Sequence, residues 1–274
     1  MKKQGKSKHP ALISRTLGIA VSVILVTAAG VFFVSNHSHA TEDAAVRQTV
    51  ARLQELENQD ITAAETALRD QTAETAAPTL SSDEIRTNIL NGNLLGDIEI
   101  RQAFKGTVIL GDSITESIWE YGYLDTDVVI SQRGMSVASA GDLIATAINI
   151  NPTVVFMSFG TNDLETFLDD TEGFISGYRE QVKKIQESLP GVPIYVNLVL
   201  PITDDAINNT PALQYYPQYN EALLTMCADM GLTPIDNAFI VENNPWLYEP
   251  DGQHVIAEYY PQWLTNMAEM AGLA

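Results

Sequence analysis

The chain has 274 residues, with 15 Lys+Arg against 35 Asp+Glu, 45% hydrophobic residues and a formal charge of −20 at pH 7. Residues 1–40 carry five basic side chains and no acid, so the remainder holds 10 basic and 35 acidic residues, a net −25. So acidic a body is repelled by polyphosphate, which argues against a nucleic-acid partner. The apolar content excludes global disorder, and a single cysteine, Cys227, excludes an internal disulfide framework or a Cys-based zinc cluster.

Residues 16–34 (TLGIAVSVILVTAAGVFFV) form 19 positions without a charge. At ~1.5 Å of rise per residue this nearly crosses a hydrocarbon core of ~30 Å. All five positive charges precede it, which predicts a transmembrane anchor with its N-terminus in the cytoplasm and residue 41 onward outside. The rival is a signal peptide cleaved after Ala40, since Ser38 and Ala40 are small residues at −3 and −1, and it would make the protein secreted. His37 and His39 read as a polar collar beside the membrane.

Residues 41–77 contain no Gly or Pro and are rich in Ala, Glu, Gln and Arg, which favours helix. Val46, Val50, Leu53 and Leu56 make a narrow apolar stripe that fades within about two heptads, so a helical spacer is expected. Pro78 marks a break, and Ser82 or Asp83 could cap a short helix to Leu90 that ends at Asn91-Gly92-Asn93. The expected organisation is 1–40 tail and anchor, 41–90 stalk and linker, and 91–274 a globular domain.

Five apolar β-type runs follow, at 107–110, 128–130, 153–159, 194–200 and 232–235. Helical patterns at 137–148, 172–189, 219–230 and 257–271 alternate with the later ones. Cys227 falls on the apolar face of the third helix and reads as a small core residue. Alternating apolar strands and helices imply an α/β fold with a parallel sheet covered on both faces. Chemistry in such sheets gathers at the C-terminal strand ends.

The residues at those ends are Gly111-Asp112-Ser113-Ile114-Thr115 after the first strand and Gly160-Thr161-Asn162-Asp163 after the third. Asp251-Gly252-Gln253-His254 lies near the C-terminus. His254 is the one histidine beyond residue 39. A serine hydroxyl needs an adjacent base, and His254 is the side chain suited to that role, with Asp251 three residues earlier to orient the ring. Donors for an oxyanion could come from the Ser113 amide at a helix N-terminus, from the side chain of Asn162, and from the Gly134 amide after the second strand.

These segments resemble the SGNH hydrolases, the GDSL-type esterase superfamily. The first block is similar to GDSIT at 111–115, the second to Gly134, the third (GxND) to 160–163 and the fifth (DxxH) to Asp251 and His254. The resemblance covers about residues 104–274. It implies a flavodoxin-like three-layer α/β/α sandwich with a five-stranded parallel sheet, preceded here by the transmembrane helix and helical stalk. It further implies a Ser113–His254–Asp251 acyl-enzyme mechanism, oxyanion donors at Ser113, Gly134 and Asn162, and no metal or cofactor. Asp112 and Asp163 then hold loops rather than transfer protons.

An anchored extracytoplasmic esterase suggests removal of O-acetyl groups from cell-envelope or other carbohydrate. The expected partners are an acylated carbohydrate or other ester, and the membrane through the N-terminal helix. Residues 200–219 read as a long loop at the rim of the site, where Tyr215, Tyr216 and Tyr219 are candidates to stack on sugar, or else Tyr219 starts a buried helix face and the other two pack the loop. Trp246 and Tyr248, just before Asp251, pose the same choice. An O-acetyltransferase, a lipase or general carboxylesterase, and a non-catalytic sugar-binding module remain the alternatives. The polar segment 204–210 disfavours the apolar lid of a lipase.

Overall fold

A computed structural model describes residues 80–274. Five parallel strands, β1 (Val108–Gly111), β2 (Val129–Ser131), β3 (Val155–Ser158), β4 (Ile194–Asn197) and β5 (Thr233–Ile235), lie in the order β2-β1-β3-β4-β5. This is the flavodoxin-like order of doubly wound sheets, and it reverses between β1 and β3. All five strands occur where the sequence predicts them.

The alternation of side chains along the strands divides the core in two. Val108, Leu110, Val155, Met157, Ile194 and Val196 face one side, where they meet α4 (Gly141–Ile150), α6 (Thr171–Ser188) and α8 (Tyr216–Met230). Ile109, Val129, Phe156 and Ile235 face the other. There they meet α1 (Ser82–Leu90), α2 (Asp97–Ala103), α3 (Ser113–Glu120), α9 (Ala238–Asn243) and α10 (Tyr260–Met270). Two short helices complete the set, α5 (Thr161–Phe167) and α7 (Asp204–Asn209).

Helix α1 is capped by Ser81 rather than by Ser82 or Asp83. Its hydroxyl accepts the Glu84 amide at 3.3 Å, and the Glu84 carboxylate accepts the Ser81 amide at 2.9 Å, a reciprocal capping box. Ile85 and Ile89 are buried on this helix, which packs against α10. Hence 82–90, grouped with the stalk on sequence grounds, forms part of the packed body.

The segment expected as a long loop, 200–219, is instead α7, a 3₁₀ turn (Pro211–Tyr215) and the start of α8. The reason is local. Thr203 caps α7 by accepting the Ala206 amide at 3.3 Å, and Asp204 and Asp205 occupy the positive end of the helix. Pro211 then supplies a preset φ for the next turn. Cys227 is buried in the first core, and burial pushes its thiol up to about 11, so it is inert at neutral pH.

Among the described residues no helix is long and apolar enough to cross a membrane. The apolar segment 16–34, the His37/His39 pair and the stalk 41–77 lie outside the described residues.

Candidate active site

Register brings three loops to one edge. Gly111 is level with Ser131 on β2 and with Ser158 on β3. The chain therefore leaves β1, β2 and β3 at the same height, and Ser113, Gly134 and Asn162 follow within four residues of those ends. Ser113 and Asn162 flank the point where strand order reverses, the crevice in which open α/β sheets bind ligands.

Ser113 opens α3. A Cβ on Gly111 would lie 1.9 Å from the Thr115 hydroxyl and 2.6 Å from the Ser158 carbonyl, so the tight strand-to-helix turn requires glycine. Asp112 caps the helix through its Oδ1, which accepts the Ile114 amide at 3.1 Å. The Ser113 amide then lies in the first turn, whose N–H groups have no intrahelical acceptor.

His254 meets Ser113 from the C-terminal end of the chain. Ser113 Oγ and His254 Nε2 are 3.0 Å apart, and His254 Nδ1 is 2.6 Å from Asp251 Oδ2. A carboxylate only accepts, so Nδ1 carries the proton and Nε2 is left as the acceptor for the serine hydroxyl. Asp251 Oδ1 also accepts the amides of Gln253 and His254 at 3.0 and 2.9 Å. Partial burial works against the ionised carboxyl of Asp251, but these amide bonds and the imidazole outweigh it and hold the group below its ordinary 3.8.

The turn that carries this pair is tied to its surroundings at several points. Glu249 donates its amide to the His254 carbonyl, and Ile256 donates to that of Leu247. Tyr248 donates its hydroxyl to the Pro201 carbonyl at 2.6 Å. Gly252, at φ +71°, sits so close to Thr203 that a Cβ would fall 1.9 Å from its hydroxyl.

Asn162 stands near the start of α5, where its Nδ2 donates to Asp112 Oδ2 at 2.9 Å. An amide nitrogen has two hydrogens, so one remains for a substrate. Asp112 is buried, and its desolvation overrides the bonds from Ile114 and Asn162 to push its carboxyl up to about 6. Asp163 next door is also buried and raised by desolvation. Its Oδ1 accepts Ser136 Oγ at 2.6 Å and the Val137 amide at 3.1 Å, which closes the loop after β2. Both acids are engaged in loop contacts, as the resemblance implies.

Gly134 has φ +70°, a left-handed position at the tip of that loop. Its amide makes no hydrogen bond among the described residues. The residues that sequence reasoning missed are those that brace these loops: Glu116 and Arg133, Ser136, Thr203, and Tyr260, whose hydroxyl donates to the Ile114 carbonyl at 3.0 Å. Each acts across a long sequence separation, which no local pattern signals.

Tyr215 and Tyr216 are half-buried against the first core, and Tyr219 is fully buried with its ring stacked on Phe174. Tyr216 lies near Tyr248 on the His254 turn and contributes to raising its pKa, after burial. Trp246 is 61% exposed. A small crevice of about 20 Å³ lies beside Asp112, Ile114, Thr161, Leu200 and Trp263, adjacent to the neighbours of Ser113.

A serine, an imidazole and a carboxylate in hydrogen-bonded series, beside free amide donors, form the arrangement that acyl transfer by a serine requires. The sequence model of the GDSL-like lipase/acylhydrolase family matches residues 109–260, more than half of the chain. The chain belongs to this family and is a carboxylic ester hydrolase.

Solved structures similar to it include a GDSL-like lipase from Bacteroides thetaiotaomicron, at 15% identity and TM-score 0.48, over 68% of this chain and 95% of that one. A carbohydrate esterase family 3 protein from Talaromyces cellulolyticus matches at 16% identity and TM-score 0.46, over 59% and 92%. A lipase/acylhydrolase from Enterococcus faecalis matches at 15% and 0.46, over 61% and 95%. No curated protein matches the sequence.

Proposed function

We propose that the chain is an extracytoplasmic serine esterase that removes O-acetyl groups from cell-envelope or other carbohydrate, with Ser113 as nucleophile, His254 as base and Asp251 as orienter. Neutral Nε2 of His254 takes the Ser113 proton as Oγ forms a bond to the ester carbonyl carbon. The carbonyl π pair moves onto oxygen, where the amides of Ser113 and Gly134 and the free hydrogen of Asn162 Nδ2 meet the developing charge. Asp251 stays ionised and stabilises the imidazolium. Collapse breaks the bond to the sugar oxygen, which takes the proton from His254 and leaves as an alcohol. Water then repeats the sequence on the acetyl-serine, releasing acetate and restoring Ser113.

The observation that carries this reading is the 3.0 Å and 2.6 Å series from Ser113 through His254 to Asp251. The polar helix α7, with Asp204 and Asp205 exposed at its start, supports a carbohydrate over a long acyl chain. The uncharged segment 16–34 behind five basic residues supports a membrane tether with the enzyme outside. Tyr216, half-buried beside the His254 turn, and Tyr215 are the candidates to line a sugar.

The test is acetate release by the full-length chain from O-acetylated peptidoglycan and acetylated xylan, beside long-chain acyl esters. The expected result is free acetate from a polysaccharide, falling by at least ~10³ in Ser113→Ala. Turnover of the long-chain esters alone would contradict the substrate class. Transfer of acetyl to a glycan with no free acetate would replace hydrolase by transferase.

A further inference from the structure

The loop that presents the Gly134 amide is pinned at both ends. Gln132 donates its amide to the Gly111 carbonyl at 3.2 Å, and on the far side Ser136 and Val137 bond Asp163. Between them, 132–135 is a tight turn closed by the Met135 amide on the Gln132 carbonyl at 3.2 Å, with Gly134 at positive φ in its third position. Any shift of this turn relative to α3 would carry the Gly134 N–H away from the site.

One side chain holds the centre of the turn. Glu116 lies one helical turn beyond Ser113 on α3, on the same helix face. Its Oε2 accepts the backbone amide of Arg133 at 3.1 Å, and its Oε1 accepts Arg133 Nε at 2.7 Å. Glu120, a further turn along, takes an Nη2 hydrogen of the same guanidinium. The Glu116 side chain is 14% exposed, whereas that of Arg133 is 61% exposed. An exposed ion pair contributes only ~0–1 kcal/mol to stability. This one does something further, because a single carboxylate grips Arg133 on both sides of its Cα. That holds the backbone nitrogen and the side chain of Arg133 against α3, and with them the turn that presents Gly134.

We propose that Glu116, with Arg133, is a positioning pair that locks the Gly134 amide onto the oxyanion of the ester bound at Ser113. The nucleophile and the donor opposite it are thus set by one helix, with the serine at its first position and the clamp at its fourth. The inference rests on the reading of Gly134 as an oxyanion donor.

Four full-length variants test it with p-nitrophenyl acetate: Glu116→Ala, Glu116→Gln, Gly134→Pro, which has no backbone N–H, and the double change Glu116→Ala with Gly134→Pro. Glu116→Ala should lower kcat roughly 10- to 100-fold, below the ~10²–10³ expected for outright loss of one donor, with KM within about twofold of the wild type. Glu116→Gln keeps an oxygen for the Arg133 amide and should recover most of kcat. If Glu116 acts through Gly134, the double variant should be hardly slower than Gly134→Pro alone. A merely structural Glu116 would raise KM or lower Tm without this split, and its effect would multiply with that of Gly134→Pro; either result overturns the proposal while leaving the oxyanion role intact. An unchanged kcat in Gly134→Pro would overturn the oxyanion reading and the proposal with it. Should Glu116→Ala fold poorly, the kcat recovered by Glu116→Gln relative to Glu116→Asp gives the same decision.

Discussion

Two carboxylates near Ser113 are pushed in opposite directions, each by its surroundings. Asp251 is partly exposed and rich in donors, so it remains ionised well into acid. Asp112 is buried and raised to about 6, so the folded chain binds a proton there that the unfolded chain has already lost. Between about pH 4 and 6 the native state therefore holds more protons at Asp112 than the unfolded state, and stability falls as pH rises through this window. The shift from 3.8 to about 6 corresponds to a penalty on the order of 3 kcal/mol, fully present above pH 6. Urea melts of wild type and Asp112→Asn at pH 4 and pH 7 should show the variant gaining on the wild type as pH rises. A gap that does not move with pH would mean that Asp112 is not the group that titrates.

At the level of elements, the site depends on turns that leave no room for side chains. Gly160 has φ +142°, and a Cβ there would lie 2.4 Å from Val199 Cγ2, between β3 and the loop after β4. Gly160→Ala should shift α5 and carry Asn162 with it, costing about 1–3 kcal/mol from backbone strain and overpacking. Activity should fall more than stability does, and kcat measured well below the melting point separates the two. The strands and the long helices α6 and α8 were legible in the sequence because apolar period and length mark them. The motif residues at 111–115 and 160–163 were legible because a chemically unusual set follows strand ends, and 251–254 because it holds the one histidine beyond residue 39. Less visible were α2, α7 and α9, short helices of six or seven residues fixed by caps and contacts rather than by periodicity. The Glu116–Arg133 clamp was hidden for the same reason: each residue alone is an ordinary surface charge.

Over the whole molecule, the order β2-β1-β3-β4-β5 makes the chemistry possible. It sets β1 between β2 and β3, so Ser113, Gly134 and Asn162 follow three adjacent strand ends. His254 and Asp251 must arrive from a segment 141 residues beyond Ser113, carried in by the turn beside α7. The two cores on either face hold these ends at fixed height, and residues 80–274 carry 27 acidic and 7 basic side chains, a net −20. That field disfavours polyanionic substrates at low salt.

The central claim is that Ser113 is the nucleophile and depends on His254. It is tested most directly by treating the full-length chain with a fluorophosphonate and mapping the adduct by mass spectrometry, in wild type and in His254→Ala. The account predicts a single adduct on Ser113 that forms at least ~10²-fold more slowly without the imidazole. An adduct on another residue, or labelling of Ser113 at the same rate in His254→Ala, would contradict it.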